Sequence, residues 1–142
     1  MELKLNKNSK NALNIGFLEA LARVRKVEKA MIKESKLKVT PKELNYMALL
    51  MHQNWKQSDV KKILDISKGT LSTMVKVLIR KGFLTQTANP KDKRVKDLLA
   101  TKKGQQVLDL NDKIRAAIKK DLLSKITQEE LDIFTEIALK IR

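Results

Sequence analysis

Cysteine is absent from the 142 residues, and only one histidine, four glycines and two prolines are present. Without a thiol the chain forms no disulfide, offers no thiolate to a metal and has no cysteine for sensing peroxide, which suits a cytoplasmic protein. With His52 as the lone imidazole there is no metal-spaced cluster, and the few glycines compose no phosphate-cradling loop. Neither an enzyme nor a cofactor is expected from such a chain. His52 falls near the end of a helical stretch, where a surface or C-terminal histidine is the ordinary reading. No apolar run approaches the ~20 residues of a spanning helix. Met1 to Asn14 is polar and lysine-rich rather than signal-like, so no membrane partner is expected.

What is abundant is positive charge. Lysine and arginine number 31 against 16 acidic residues, a net charge of +15. Residues 56–103 carry 13 cations and 4 anions, whereas residues 104–142 carry 7 of each. A cationic surplus concentrated in the middle of the chain favours a polyanionic partner, nucleic acid being the commonest, although charge alone also serves solubility. The length is that of one domain, 1–142, with room for one core and not for two.

The central region reads as two short helices, a strand pair and a long helix. Gln57-Ser58-Asp59 is a helix-start signal, followed by Val60, Ile63 and Leu64 on one face. Ile66 sits in a turn in which Asp65 tolerates a left-handed backbone. Ser67 then caps a helix with the apolar stripe Leu71, Met74, Val75 and Leu78, ended by Gly82. This spacing is that of a helix-turn-helix frame, in which Lys61 must turn its stem outward at the helix crossing. Phe83 to Ala88 and Val95 to Ala100 read as strands around the turn Asn89-Pro90-Lys91-Asp92-Lys93-Arg94. The product is a winged helix-turn-helix with a basic tip.

Ser67-Lys68-Gly69-Thr70-Leu71-Ser72, Lys81-Gly82-Phe83-Leu84, Asp92-Lys93-Arg94 and Thr101-Lys102-Lys103-Gly104, in that order and spacing, resemble the MarR family of bacterial winged helix-turn-helix transcriptional regulators. The Asp-x-Arg wing with Thr-x-x-Gly seven residues after the arginine is the more specific part. The motifs cover about the central third of the chain, and the flanking helices extend the resemblance by architecture. It implies a mainly α (α+β) fold, a winged helix-turn-helix flanked by N- and C-terminal dimerisation helices. The expected bounds are about 10–36 for the first helix, 40–101 for the winged helix-turn-helix and 102–142 for the last helices.

The flanks carry their own signals. Leu13, Phe17, Ala20, Leu21, Val24, Val27 and Met31 form one helical stripe, and Thr40-Pro41-Lys42-Glu43 is a capping box before Leu44, Met47, Ala48 and Met51. Thr101 opens a long helix with Val107, Leu110, Ile114, Ala117 and Ile118 at near-heptad spacing. Thr127-Gln128-Glu129-Glu130 is a second capping box, before Leu131, Phe134, Ile137, Ala138 and Ile141. This apolar surface exceeds what a small winged helix covers. The resemblance implies that the terminal helices interlock into a homodimer; the alternative is an intramolecular bundle.

Helical geometry sets the stripe Leu71, Met74, Val75 and Leu78 inward, so Gly69, Thr73, Lys76 and Arg80 face outward with Thr70 and Ser72 on the edges. Ser67 and Lys68 add contacts at the helix start, and Gln57 and Ser58 are candidates for backbone anchoring. In the wing, Lys91, Lys93 and Arg94 are candidates for the minor groove, with Asp92 holding a neighbouring cation or the arginine by a charge-assisted hydrogen bond. Tyr46 and Trp55 are candidates for a small-molecule effector pocket, against simple packing near the junction of the second and third helices. The activity that the resemblance implies is sequence-specific binding of a pseudo-palindromic duplex, as a repressor released by an effector. The alternative is an architectural or protein-interaction winged-helix module without sequence preference.

Overall fold

Helix starts in this chain are set by hydroxyl side chains. Thr40, Ser67, Thr101 and Thr127 each accept a hydrogen bond from the backbone N–H three residues on, at 3.2, 3.1, 3.0 and 3.2 Å. Both expected capping boxes close, since the Glu43 and Glu130 carboxylates accept from the Thr40 and Thr127 N–H groups at 2.9 and 2.8 Å. The computed structural model describes residues 12–53 and 55–141, with side chains from Ile15 onward. Their order is α1 (Ala12–Ser35), α2 (Pro41–Leu50), α3 (Gln57–Leu64), α4 (Lys68–Arg80), β1 (Leu84–Ala88), β2 (Lys96–Ala100), α5 (Lys102–Leu123) and α6 (Gln128–Lys140). Expectations at residues 10, 11 and 142, and for the Leu13 side chain, lie outside the described residues.

Helix α3 starts at its sequence signal, Gln57-Ser58-Asp59, without a hydroxyl cap. Lys56 occupies the cap, and the Asp59 carboxylate accepts from the Lys56 N–H at 2.7 Å. Its end follows expectation: Asp65 has φ 49° and ψ 51°, the left-handed turn that swings the chain into α4. Gly82, at φ 78°, does the same after α4.

Helices α2, α4 and α5 and the wing root supply most of the core. Met47, Val60, Leu78, Phe83 and Val107 are wholly buried, with Leu44, Leu71, Val75, Leu84, Leu110 and Ile114 nearly so. Each such side chain contributes roughly 1.5–3 kcal/mol of hydrophobic stabilisation. One expectation fails here. Ile63 is 51% exposed, because α3 turns only Val60 fully inward. The outer helices are largely uncovered by their own chain. Phe17 is 50% exposed on α1, and Phe134 and Ile137 are 55% and 51% exposed on α6, which buries no residue. Of the α1 stripe, Met31 packs at the core margin. Arg23 ties α1 to α5 by two hydrogen bonds to Asp121, whose carboxyl is held below its usual range by that bonding.

A buried carboxylate joins α2 to the end of α4. Burial pushes the Glu43 carboxyl up, but hydrogen bonds from Lys81 Nζ, at 2.8 Å, and from Thr40 outweigh this and hold it below its usual range. The two strands pair antiparallel, Leu84 with Ala100, Gln86 with Leu98 and Ala88 with Lys96.

The Thr-x-x-Gly motif fixes the wing root. Thr101 Oγ1 donates to the Gly82 carbonyl at 2.5 Å while accepting from the Gly104 N–H, and the Thr101 N–H donates to the Phe83 carbonyl at 3.1 Å. A Cβ at position 104 would lie 1.9 Å from the Phe83 carbonyl oxygen, so only glycine permits this crossing. Gly104→Ala should therefore destabilise the fold by about 1–3 kcal/mol, seen as a lower urea midpoint at unchanged slope. An unshifted midpoint would show that α5 leaves Phe83 without cost.

Candidate nucleic-acid interface

The α3–α4 turn directs the start of α4 outward, and the exposed face of α4 carries Gly69, Ser72, Thr73, Lys76 and Arg80 as the helical spacing requires. Ser67 Oγ and Thr70 Oγ1 lie 2.9 Å apart, so both hydroxyls stiffen the first turn. Thr73 faces outward as expected, and its hydroxyl donates to the Gly69 carbonyl at 3.0 Å, leaving the oxygen as an acceptor.

The wing tip is a hydrogen-bonded turn. Asn89 Oδ1 accepts from the Lys91 and Asp92 N–H groups at 2.8 and 3.3 Å, and Asn89 Nδ2 donates to the Asp97 carboxylate. Asp92 Oδ1 accepts from the Arg94 backbone N–H at 2.9 Å. The arginine is thus held by its backbone, not its guanidinium, and the charged head stays outward. Lys91, Lys93 and Arg94 are all exposed. Among the described residues the ion pairs are Arg23–Asp121 and Lys81–Glu43, so none of the interface cations is neutralised by one.

Between α3, α4 and the wing runs a cleft of about 500 Å³. It gathers Gln57, Ser58, Lys68, Ser72 and Lys76, five of the residues singled out by sequence, and adds Lys61, Gln86 and Lys96. Thr70, Thr73, Arg80 and the tip residues 91–94 are not among its walls. Sequence reasoning missed Gln86 and Lys96 as site residues, and for Lys96 the facing depends on strand register. Period-2 alternation from Leu84 would have put Gln86 on the helix-facing side. Lys61 was read as a snorkelling residue, and its half-buried stem and place in the cleft agree with that.

The cleft that Tyr46 lines does not include Trp55. Tyr46 is buried and lines a cleft of about 530 Å³ between α1, α2 and the end of α3, with Arg25, Glu28, Lys29 and Lys42 around it. Burial raises the Glu28 carboxyl there, with Arg25 opposing. Trp55 instead stacks on the exposed His52 ring, centroids 4.1 Å apart, just past α2. Among the described residues no cluster of three His, Cys, Asp or Glu could hold a metal ion, and no helix is long and apolar enough to cross a membrane.

Residues 39–96, from the residue before the α2 cap to the first residue of β2, match the model of the MarR family. The HTH-type transcriptional repressor MdtR of Bacillus subtilis (strain 168) is 29% identical over 126 residues, covering 87% of this chain and 81% of that one. The uncharacterized HTH-type transcriptional regulator YdgJ of the same strain is 24% identical over 105 residues, covering 73% of this chain and 64% of YdgJ, so that alignment spans just under two thirds of the relative. In fold, Streptococcus pneumoniae FabT, solved in complex with DNA, superposes with a TM-score of 0.78 at 21% identity, covering 94% of each chain. The mainly helical architecture with a two-stranded wing is the fold shared with that structure.

Asp92→Ala removes the acceptor that orders Arg94. Exchange of the Arg94 amide should accelerate while the global unfolding free energy stays within about 0.5 kcal/mol. Unchanged protection at Arg94 would mean that the Asn89 bonds hold the tip alone.

Proposed function

We propose that this chain is a member of the MarR family of bacterial winged helix-turn-helix transcriptional regulators, and that it binds a pseudo-palindromic DNA duplex as a homodimer, represses transcription and is released by a small-molecule effector. The observation that carries this reading is the surface made by the exposed face of α4, the start of α3 and the wing tip. It holds Lys68, Lys76, Arg80, Lys91, Lys93 and Arg94 without an ion-pair partner among the described residues. Such a surface exchanges condensed counterions for phosphate contacts, and α4 is of the size that the major groove admits. FabT bound to DNA and MdtR described as a repressor support the same direction. Regulation of this kind needs no catalysis, and we place the protein in the cytoplasm with its target.

The chain 1–142 acts as one unit in this reading: residues 40–101 contact DNA, and α1, α5 and α6 assemble the dimer. Base readout is assigned to Lys76, Arg80, Ser72 and the Thr73 oxygen, phosphate contact to Gln57, Ser58, Ser67, Lys68 and Thr70, and minor-groove contact to Arg94 flanked by Lys91 and Lys93, with Asp92 ordering the tip. The cleft at Tyr46 is the proposed effector site, lying between an assembly helix and the DNA-binding unit; Trp55 is left out of it.

Selection of bound fragments from a random duplex library at physiological salt tests sequence preference. A palindromic consensus is expected; a flat profile would favour an architectural module instead. On the selected duplex, Arg94→Ala should lower the slope of log affinity against log salt by about one, with a similar loss on random DNA. Thr73→Ala with Lys76→Ala should lose on the order of 1–3 kcal/mol per good base contact on operator and little on random DNA. If Arg94→Ala leaves affinity and slope unchanged, the wing is not docked on DNA.

The dimer is tested through residues that one chain leaves uncovered. Phe134→Asp with Ile137→Asp changes positions exposed in the single chain, so folding of the protomer should survive while assembly fails. Sedimentation should give a dimer for the parent and a monomer for the variant at micromolar concentration. A monomeric parent would overturn the claim.

A further inference from the structure

A helix in the major groove and a hairpin tip in the neighbouring minor groove leave one sugar-phosphate strand between them, because that strand is the wall the two grooves share. The surface lying between α4 and the wing is the cleft of about 500 Å³ described above. Lys61, Lys68, Lys76 and Lys96 stand in its walls, and no carboxylate does. Pairing of Ala88 with Lys96 and Gln86 with Leu98 sets Gln86 and Lys96 on the same inner face of the wing as buried Leu84, as diagonal neighbours. Asp97, next to Lys96 in the chain, is on the opposite face and takes the Asn89 amide. The one nearby anion of the wing is thereby kept away from the lysines. Leu71, Val75 and Ile79 give the cleft an apolar floor.

Resting on the DNA-binding reading, we propose that this cleft seats the phosphodiester strand between the two contacted grooves, with Lys96, Gln86 and Lys61 as phosphate-contacting residues. Lys96 and Lys61 hold the strand from opposite walls by charge, and the Gln86 amide donates to a phosphate oxygen between them. The apolar floor meets the deoxyribose edges. Contacts of this kind carry no sequence information; they fix how α4 and the wing sit together on the duplex.

The test uses the full chain and its selected duplex. Lys96→Ala and Lys61→Met, the latter keeping the stem without the charge, should each lower the salt slope by about one and weaken operator and random DNA alike. Gln86→Ala should weaken binding with the slope unchanged. Replacing phosphates one at a time by uncharged methylphosphonates should then reveal one or two adjacent positions whose neutralisation weakens the parent protein but not Lys96→Ala. Thermal midpoints must match the parent, and Lys96→Gln serves if Lys96→Ala falls short. Parent-like affinity and slope for the Lys96 and Lys61 variants, with Arg94→Ala still weakened, would overturn the seating of the strand and leave the DNA-binding reading standing. Parent-like binding by all of these variants, Arg94→Ala included, would overturn both.

Discussion

The position of the wing depends on a backbone contact at Gly104. There the first turn of α5 lies against the Phe83 carbonyl so closely that a single methyl would collide with it. Strand β1 begins at Leu84, one residue after Phe83, and β2 ends at Ala100, one before Thr101. Both roots of the hairpin are therefore fastened at the same crossing, by Thr101 to Gly82 and Phe83 and by Lys103 Nζ to the Lys81 carbonyl at 3.0 Å. A five-residue strand is roughly 17 Å long, so about 10° of tilt at the root moves the tip by about 3 Å. A displacement of that size exceeds the tolerance of a hydrogen bond to a phosphate. The glycine and the capping threonine are thus requirements of the distant basic tip as much as of the local packing.

The same crossing is braced from the other side by a carboxylate. Glu43 closes the capping box of α2 and accepts from Lys81 at the end of α4, so one side chain serves a helix start and a helix end together. Its burial would favour the neutral acid, but the ammonium and the Thr40 N–H keep it ionised. Removing either partner would strand a desolvated charge, which is why such pairs specify geometry even where their net stabilisation is small.

What the sequence disclosed and what it hid divide by range of interaction. The caps at Thr40, Ser67, Thr101 and Thr127, the turn at Asp65 and the stop at Gly82 were legible because each is an exchange between residues at most four apart. The destination of an apolar stripe was not, since Leu44 and Met47 on α2 and Phe134 and Ile137 on α6 carry the same helical signal yet the first pair is buried and the second exposed. Nor could spacing show that the Thr73 hydroxyl bonds back to Gly69, or that Ile63 turns away from the core. Lys96 depended on hairpin register, and a slip of one residue would have set it on the far face from Gln86.

Charge and apolar surface are segregated along the chain, and α5 joins the two regions. It begins at the wing root and is sunk in the core through Val107, Leu110 and Ile114, while Ile118 and Leu122 nearer its end meet the α6 side. Twenty-two helical residues make a rod of about 33 Å, several times the ~8 Å over which charges are felt at physiological ionic strength. The cations of residues 56–103 can therefore be dense at one end without opposing the approach of apolar faces at the other, where residues 104–142 balance 7 cations with 7 anions. Arg23 joins α1 to Asp121 on the same rod, so an uncovered apolar helix and the root of the basic wing both rest on α5.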